Sequence, residues 1–249
     1  MYTDTEGIIL RQIKTIGGRR MLVIFTKKFG KISAGTSINE KGRNKSALSL
    51  RPFSYGKYEI NNKGDYFYIN RGEVLSSHYR IGEDIDKYTY TSYVMEFTDK
   101  LLIEGSPAPD FFRLLMEFLD MMEHRSKKYG TLVVAYQVKA LKYCGSSPRL
   151  DACIMCGSKE NLTGFHIKDG GVVCSRCKSV KNGNERLIYD VEFDIVSVLR
   201  YLTESPLFSL ERLALNDCTL NKLQCLLRSY LAYHLNISGL KSEEFMYDR

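Results

Sequence analysis

The sequence predicts an α+β protein in which a small N-terminal β-barrel precedes a larger α-helical domain with a cysteine-rich insert. Three observations predict this arrangement. Short apolar segments of strand type, separated by turn residues, fill about the first 80 of the 249 residues. The apolar residues then recur with the period of helices, and two Cys-x-x-Cys pairs interrupt that helical region. The composition, 44% hydrophobic and 26% charged, is ordinary for a globular protein.

Five candidate strands occupy the N-terminal region. The clearest is residues 20–26, because β-branched and aromatic residues fill it and two glycines, Gly17 and Gly18, precede it. Five strands in so short a span predict a small barrel of the size of an OB-fold, which commonly binds single-stranded nucleic acids. The candidate strands are residues 7–10, 20–26, 31–38, 55–60 and 66–69.

The pattern becomes helical from residue 84 onward. Phe111, Leu114, Leu115 and Phe118 follow the spacing of one helix face, and Pro109 is suited to the start of that helix. The chain is therefore divided into a barrel domain, residues 1–80, and a helical domain, residues 81–249, with the insert at about residues 150–180. Further helices are predicted over residues 88–104 and 132–143, around 191–202 and around 220–231.

The positive charge is concentrated in the barrel region. The formal net charge is +7, but residues 1–80 contain 15 Lys and Arg against 6 Asp and Glu, whereas residues 81–249 contain 21 against 23. Such asymmetry is typical of a protein with a polyanionic partner, and a basic face kept for solubility is the alternative. The candidate phosphate contacts are Arg11, Lys14, Arg19, Arg20, Lys27, Lys28, Lys31, Lys41, Arg43, Lys45 and Arg51.

Aromatic side chains on the barrel are candidates for stacking on unpaired bases, with about 1–3 kcal/mol expected for each stack. Phe25 and Phe29 are the residues considered, although Phe25 lies in an apolar run that favours the core. Because a basic surface screens the repulsion between two nucleic-acid strands, it also favours annealing of complementary strands.

The insert contains the motif with the most specific spacing. Cys153, Cys156, Cys174 and Cys177 form two Cys-x-x-Cys pairs with 17 residues between them. This spacing is typical of a site in which Zn²⁺ takes four thiolates in a tetrahedron. Since four cysteines complete the coordination sphere, the ion is predicted to be structural. A strand hairpin is expected between the pairs, so the insert is predicted to be a zinc ribbon. A redox-active dithiol is the alternative.

The other cysteines and the histidines have no predicted metal role. His166 lies between the two pairs, but four thiolates leave no position for a further ligand. Cys144, Cys218 and Cys225 have no partner at metal-ligand spacing and are predicted to be packing residues, Cys225 beside the apolar stripe of its helix.

Signatures of common enzyme classes are missing from the sequence. It lacks the His-x-Glu of zinc deaminases, the phosphate-binding loop Gly-x-x-x-x-Gly-Lys-Ser/Thr, the Gly-x-Gly of dinucleotide turns and the Gly-x-Ser-x-Gly elbow. A metal-dependent nuclease stays open as an alternative, as does an RNA-binding OB-fold and zinc-ribbon protein of translation or transcription. The lack of a signal peptide and of a long apolar run predicts a cytoplasmic location with reduced thiols.

Short motifs occur in a specific order along essentially the whole chain. They are Gly-Ile-Ile-Leu-Arg at residues 7–11, Phe-Thr at 25–26, Phe-Gly-Lys-Ile-Ser-Ala at 29–34, Lys-Gly-Arg-Asn-Lys-Ser at 41–46, Leu-Arg-Pro-Phe at 50–53, the four insert cysteines, Arg-Ser-Tyr-Leu at 228–231 and Leu-Lys-Ser at 240–242. Their order and spacing resemble the RecO family of bacterial recombination and repair mediators. The chain departs from that family at Gly17 and Gly18, where members often carry an acidic residue, and at 42–46, where they often carry more Arg and Lys.

The resemblance implies an N-terminal OB-fold, a helical domain behind it, one structural Zn²⁺ on the four cysteines and no catalytic activity. It further implies binding of single- and double-stranded DNA, annealing of complementary strands and, together with RecR, loading of RecA on DNA coated with SSB. The expected partners are therefore DNA, RecR, the C-terminal tail of SSB and, indirectly, RecA. The expected location is the bacterial cytoplasm, in association with the nucleoid.

Overall fold

The computed structural model describes residues 2–14, 20–38, 45–64, 66–179, 188–191 and 193–247. Two compact units are present: Met1–Arg125 together with Leu240–Arg249, and Ser126–Gly239. The α+β class is confirmed, since an N-terminal sheet precedes a mainly helical region. The sheet of the first unit ends at Ser76, and that unit also takes in helices, so the domain boundary at residue 80 stays a prediction.

Five strands of the first unit form a closed barrel in the order β1-β2-β3-β5-β4. β3 and β5 are parallel, and every other neighbouring pair is antiparallel. Each of the five predicted segments overlaps one of these strands. Three of the strands extend well beyond the predicted segment, whereas the predicted segment 31–38 runs two residues past the end of β3 at Thr36. The strands are β1 Tyr2–Lys14, β2 Arg20–Thr26, β3 Gly30–Thr36, β4 Tyr55–Lys63 and β5 Tyr66–Ser76.

The first strand closes the barrel because it pairs with two neighbours in succession. Residues 2–8 pair with β4, and from residue 7 onward the strand pairs with β2. Gly7 belongs to both ladders. A Cβ atom at Gly7 would lie 2.9 Å from Cδ1 of Ile24 and 3.0 Å from the carbonyl oxygen of Phe25, so a larger residue at this position would force these atoms to shift.

The barrel interior is filled by side chains that alternate along the strands. Tyr58 is fully buried, and its hydroxyl donates a hydrogen bond to the carbonyl oxygen of Ser49 at 2.5 Å. Burial raises the pKa of Tyr58, so the phenol keeps its proton and remains a donor. The buried cluster consists of Ile9, Leu22, Ile24, Ile32, Ala34, Leu50, Tyr58, Ile60 and Ile69, with Phe29, Ile38 and Phe67 packed against it.

Three helices accompany the barrel: α1 Lys45–Ser49, α2 Ile85–Leu101 and α3 Pro109–His124. The apolar stripe that the sequence predicts for α3 is buried. The Phe112 ring of this helix packs on the Phe25 ring of β2 with 5.2 Å between centroids. Phe25 is therefore a core residue that joins the barrel to α3.

The second unit is built around α4 Tyr129–Tyr143, whose residues 130–141 are all buried. Helices α6 Phe193–Glu204 and α7 Asp217–Leu235 pack against it. A small sheet in the order β7-β6-β8 and the short helix α5 Ser175–Ser179 complete the unit. The strands are β6 Leu162–His166, β7 Gly171–Cys174 and β8 Ile188–Asp190, so the expected hairpin within the insert is present.

The C-terminal helix α8, Lys241–Tyr247, belongs to the first unit, where Glu96 of α2 caps it. The backbone N–H groups of Lys241 and Ser242 donate to the Glu96 carboxylate at 3.1 and 2.9 Å, and the Ser242 hydroxyl donates at 2.6 Å. Burial raises the pKa of Glu96, but the bonds from Ser242 and Lys241 together outweigh it, so the pKa lies below its ordinary value. The ionised carboxylate is thus the form that holds α8.

We expect Glu96→Gln to lower the free energy of unfolding by about 1 kcal/mol near neutral pH, because a neutral amide is a weaker cap than a carboxylate. The pKa of Glu96 is lower in the folded protein than its ordinary value of 4.5. The stabilisation by the ionised Glu96 is therefore present above pH 4.5 and is lost as the pH falls through the folded pKa. Urea unfolding of both proteins at neutral and at acidic pH measures the difference, which should shrink in acid.

Glu160→Gln is the control, because Glu160 is an exposed residue of the second unit. Its effect should be small at both pH values. A Glu96→Gln effect of the same size in acid and at neutral pH would contradict the role of the ionised cap.

Candidate metal centre and nucleic-acid interface

The four insert cysteines lie together in the second unit. The sulfur atoms of Cys153, Cys156, Cys174 and Cys177 are all within 4.8 Å of one another, and Sγ of Cys156 is 3.7 Å from Sγ of Cys174. A tetrahedral ion with bonds of about 2.3 Å to sulfur places its ligands about 3.8 Å apart, so the observed spacing is compatible with a metal site. All four cysteines are free thiols rather than disulfides.

The hairpin and two tight turns bring the pairs together. In the first pair, Gly157 has a φ of 76° and donates its N–H to the carbonyl oxygen of Cys153 at 2.8 Å. The positive φ favours glycine directly after the pair. In the second pair, Cys174 ends β7 and Cys177 lies in α5. The N–H of Ile154 donates to the carbonyl oxygen of Val172 at 2.9 Å, which attaches the first turn to β7.

The thiol pKa values show that the four sulfurs do not ionise independently. Burial raises the pKa of Cys153, but hydrogen bonds from the backbone N–H groups of Cys174, Cys156 and Met155 lower it by a larger amount. The resulting pKa is about 6. The hydrogen bond with Cys156 raises the pKa of Cys177 to about 12. Four adjacent thiolates repel one another, so a cation is required to hold all four deprotonated. Thiolate sulfur is also the ligand type that Zn²⁺ prefers in closed sites.

The remaining cysteines and histidines differ in part from expectation. His166 is buried and lies outside the four-sulfur cluster, as expected. Cys218 and Cys225 are exposed, so the interpretation of both as packing residues is wrong. Cys225 falls on the outer edge of the α7 stripe, where a shift of one position along the helix turns a side chain away from the core. His78 is buried, and its ring nitrogens lie 2.9 Å from the Phe53 carbonyl oxygen and 3.0 Å from the Asp120 carboxylate.

Two of the predicted phosphate contacts form ion pairs within the first unit. Asp99 of α2 is only 8% exposed, and it pairs with Arg11 of β1 at 2.7 Å and with Lys31 of β3 at 3.3 Å. The Lys31 ammonium also donates to the backbone carbonyl of Asp99, in the last turn of α2. Positive charge at a helix C-terminus is favourable because the last carbonyl groups have no partner within the helix.

Lys27 is also engaged by a carboxylate. Its ammonium forms a short ion pair with Glu6, which accepts a further hydrogen bond from the Tyr55 hydroxyl. The hydrogen bond from Lys27 lowers the pKa of Glu6, with a further contribution from Tyr55, and the same pair raises the pKa of Lys27. The Lys27 ammonium lies 5.5 Å from the centroid of the Phe112 ring. This cation therefore takes part in the contact between β1, β2 and α3.

The other predicted contacts fall into three groups. Lys28 and Arg51 are exposed and form no ion pair with another described residue, and Arg20 is half-buried at the start of β2. For Lys14 and Lys45 only the backbone is described. The predicted contacts Arg19, Lys41 and Arg43 lie outside the described residues.

Several exposed side chains on the barrel are not among the predicted contacts. Lys63 and Arg71 are exposed, and neither forms an ion pair with another described residue. Both aromatic residues considered for base stacking pack inside: Phe25 is fully buried, and Phe29 packs on Phe67 with 5.4 Å between ring centroids. The alternation of Tyr-Phe-Tyr-Ile at residues 66–69 contains the missing signal, because it places the two tyrosines on the outer face.

Two family models match consecutive parts of the chain. Family models described as Recombination protein O N terminal and Recombination protein O C terminal match residues 1–78 and 82–244. The DNA repair protein RecO of Alkaliphilus metalliredigens is 30% identical over 251 residues, which cover 98% of either chain. The chain belongs to the RecO family. The resemblance inferred from the ordered motifs is thereby confirmed.

Other RecO relatives match more than two thirds of the chain. The DNA repair protein RecO of a Thermoanaerobacter species is 25% identical over 242 residues, covering 97% of this chain and 96% of the relative. That of Bacillus pumilus is 30% identical over 179 residues, covering 72% of this chain and 70% of the relative. Within the described residues of this RecO chain, no helix has both the length and the apolar character needed to span a bilayer.

We expect Asp99→Asn to lower the free energy of unfolding by about 2 kcal/mol, because the isosteric amide leaves Arg11 and the largely buried Lys31 without their counter-charge. The exposure of Arg11 reduces the effect relative to a fully buried pair. Urea unfolding of Asp99→Asn and of the wild type measures this difference in the free energy of unfolding.

Asp110→Asn is the matched control, since the pair of Asp110 with Arg113 is exposed on α3. Its removal should change the stability little. Equal stability of Asp99→Asn and the wild type would show that Asp99 does not tie α2 to the barrel.

Proposed function

We propose that this protein is a non-enzymatic DNA-binding mediator of recombination in DNA repair, and that its barrel is an OB-fold that binds DNA. Membership of the RecO family supports the proposal, since the relatives carry the name DNA repair protein RecO. The strand order, in which β1 closes a five-stranded barrel by pairing with β2 and β4, is compatible with an OB-fold. The proposed location is the bacterial cytoplasm, in association with the nucleoid.

The observation that carries the proposal is the surplus of positive charge on the barrel after its internal pairs are made. Lys27 and Lys57 compensate Glu6 and Asp4, while Asp99 of α2 engages two further cations. Exposed cations are left over: Lys28, Arg51, Lys63 and Arg71 form no ion pair with another described residue. Such charges bind phosphates and release counterions with little dependence on base sequence.

Annealing and partner binding belong to the same proposal. Single- and double-stranded DNA share the phosphate backbone that a basic surface recognises. Two strands held on one cationic surface repel each other less, and base pairing then completes annealing. We further propose, from family membership, that the protein works with RecR and the C-terminal tail of SSB to load RecA on SSB-coated single strands.

The four-cysteine cluster is proposed to hold one structural Zn²⁺. Cys153, Cys156, Cys174 and Cys177 would supply all four ligands, which leaves no open position for a reacting water molecule. The bound ion would stabilise the insert by replacing the repulsion among thiolates with four metal bonds. The cluster is part of the second unit, whereas the exposed cations described above belong to the first.

We expect Lys63→Glu/Arg71→Glu to weaken binding of single-stranded DNA at least about ten-fold near 100 mM salt. Each lost phosphate contact should also reduce the slope of log affinity against log salt by about 0.7. Fluorescence anisotropy of a labelled oligonucleotide across a salt series measures both quantities. RNA of the same sequence serves as competitor, and a clear preference for it would favour an RNA-binding role instead.

The matched control is Lys168→Glu/Arg212→Glu, which makes the same change of charge at two exposed residues of the second unit. Thermal unfolding of both variants establishes that each is folded. Equal losses of affinity in the two variants would mean that net charge, rather than the barrel surface, determines binding.

We expect Cys153→Ser/Cys156→Ser to abolish a zinc content of about one ion per chain and to lower the melting temperature by more than about 5 °C. The affinity for single-stranded DNA should change little. Metal analysis by mass spectrometry and thermal unfolding measure the two effects. The control is Cys218→Ser/Cys225→Ser, which removes two exposed thiols outside the cluster and should retain zinc. Wild-type protein without stoichiometric zinc would contradict the site.

A further inference from the structure

Three tyrosines on the barrel expose their aromatic rings to solvent. Tyr66 is 82% exposed, Tyr2 is 65% exposed and Tyr68 is 40% exposed. None of the three hydroxyls makes a hydrogen bond with another residue that the structure describes. Exposed aromatic surface gains nothing from the folded state, so a cluster of such rings indicates a surface that binds a ligand.

The strand register places these rings on one face of the barrel. Tyr2 is opposite Asn61, and Asn61 is in turn opposite Tyr68. Residues directly opposite each other share a face, so the Cα atoms of Tyr2 and Tyr68 lie about 10 Å apart across two strand spacings. Tyr66 precedes Tyr68 by two residues on β5 and therefore lies on the same face.

A glycine on the neighbouring strand accommodates Tyr68. Gly35 of β3 is its partner in the parallel register, and a Cβ atom at Gly35 would lie 3.3 Å from Cδ2 of the tyrosine ring. The ring therefore rests against the backbone of β3 while 40% of the residue remains exposed. An aromatic ring held against the sheet in this way loses little conformational freedom when it binds a ligand.

Positive charge borders the tyrosine surface. Lys63 is the register partner of Tyr66, and it is exposed without an ion pair to another described residue. Arg71 of β5, opposite Glu59 in register, is also exposed without an ion pair to another described residue. Phosphates bound by these two cations would lie beside β5, which carries Tyr66 and Tyr68.

Among the residues that the structure describes, the carboxylates nearest to these rings along the strands already have partners. Asp4 and Glu59 are opposite each other, one outward position from the row of Tyr2 and Asn61. Lys57 pairs with Asp4 at 3.2 Å, and the Asn70 amide donates to Glu59 at 3.3 Å. Their repulsion towards a polyanion is thereby reduced.

We propose that Tyr66, Tyr68 and Tyr2 form a stacking surface that binds the unpaired bases of single-stranded DNA. This inference rests on the proposed DNA-binding function. It also explains how the barrel would distinguish a single strand from a duplex. Bases stack on aromatic rings in any sequence, but only a strand with unpaired, separable bases presents their faces. The rings select single strands, while the cations bind phosphates of either form.

The absence of tryptophan from the sequence permits a direct test. Tyr68→Trp introduces a single indole at the centre of the surface. We expect its emission to be quenched when a single strand of about 15 nucleotides binds, and to change little with a duplex of the same length or with an abasic strand of equal charge. The control is Tyr201→Trp, at a residue of α6 that is 49% exposed, which should not respond.

Affinity provides a second measurement. Tyr66→Ala/Tyr68→Ala should lower the affinity for the single strand about ten-fold or more for each lost stack, with the affinity for the duplex unchanged. Tyr66→Phe/Tyr68→Phe keeps both rings and should retain wild-type affinity. Thermal unfolding confirms that each variant is folded, and the Tyr68→Trp measurement does not depend on removing a ring.

The outcomes separate this inference from the proposed function. Unchanged emission of Tyr68→Trp while the labelled strand is bound overturns the stacking surface and leaves the DNA-binding barrel intact. An equal loss of single-strand and duplex affinity in Tyr66→Ala/Tyr68→Ala has the same meaning. If the wild type binds neither form of DNA, the proposed function fails, and the stacking surface fails with it.

Discussion

The ion pairs of Asp99 with Arg11 and Lys31 determine both how the first unit is held together and which of its positive charges are engaged. Asp99 lies in the last turn of α2, so the two cations compensate a buried carboxylate and a helix C-terminus together. A nearly buried carboxylate is costly to leave without a counter-charge. The barrel and α2 are therefore coupled electrostatically, and the cations that make this contact have a partner within the fold.

The same constraint changes how the basic N-terminal region is interpreted. Eleven basic residues between positions 11 and 51 face a single acidic residue, Glu40, in the linear sequence. In the fold, carboxylates from elsewhere engage three of them: Glu6 engages Lys27, and Asp99 engages Arg11 and Lys31. Exposed cations on other parts of the barrel, such as Lys63, are the better candidates for phosphate contacts. Net charge thus indicates the kind of partner, while ion pairing decides which side chains face it.

In the second unit, the electrostatic constraint is repulsion among like charges on the insert cysteines. The four sulfurs of the insert lie within 4.8 Å of one another, and the pKa values of Cys153 and Cys177 diverge to about 6 and about 12. One thiol of such a group retains its proton unless a cation compensates the charge. The β6–β7 hairpin and the turn at Gly157 bring the sulfurs together, and the charge of the group makes it a metal-binding arrangement.

Local pattern in the sequence alone determined the class and order of the main elements: the five barrel strands, the long helices from residue 84, and the paired cysteines of one cluster. These features depend on residues near one another in the chain, because hydrophobic period and ligand spacing are local properties. Only the tertiary structure decided that Phe29 packs inward, that Cys225 is exposed, and that the tyrosines of β5 lie beside Tyr2. Orientation and ion pairing depend on which distant segments meet, as Asp99 does with Arg11, and no local pattern contains that information.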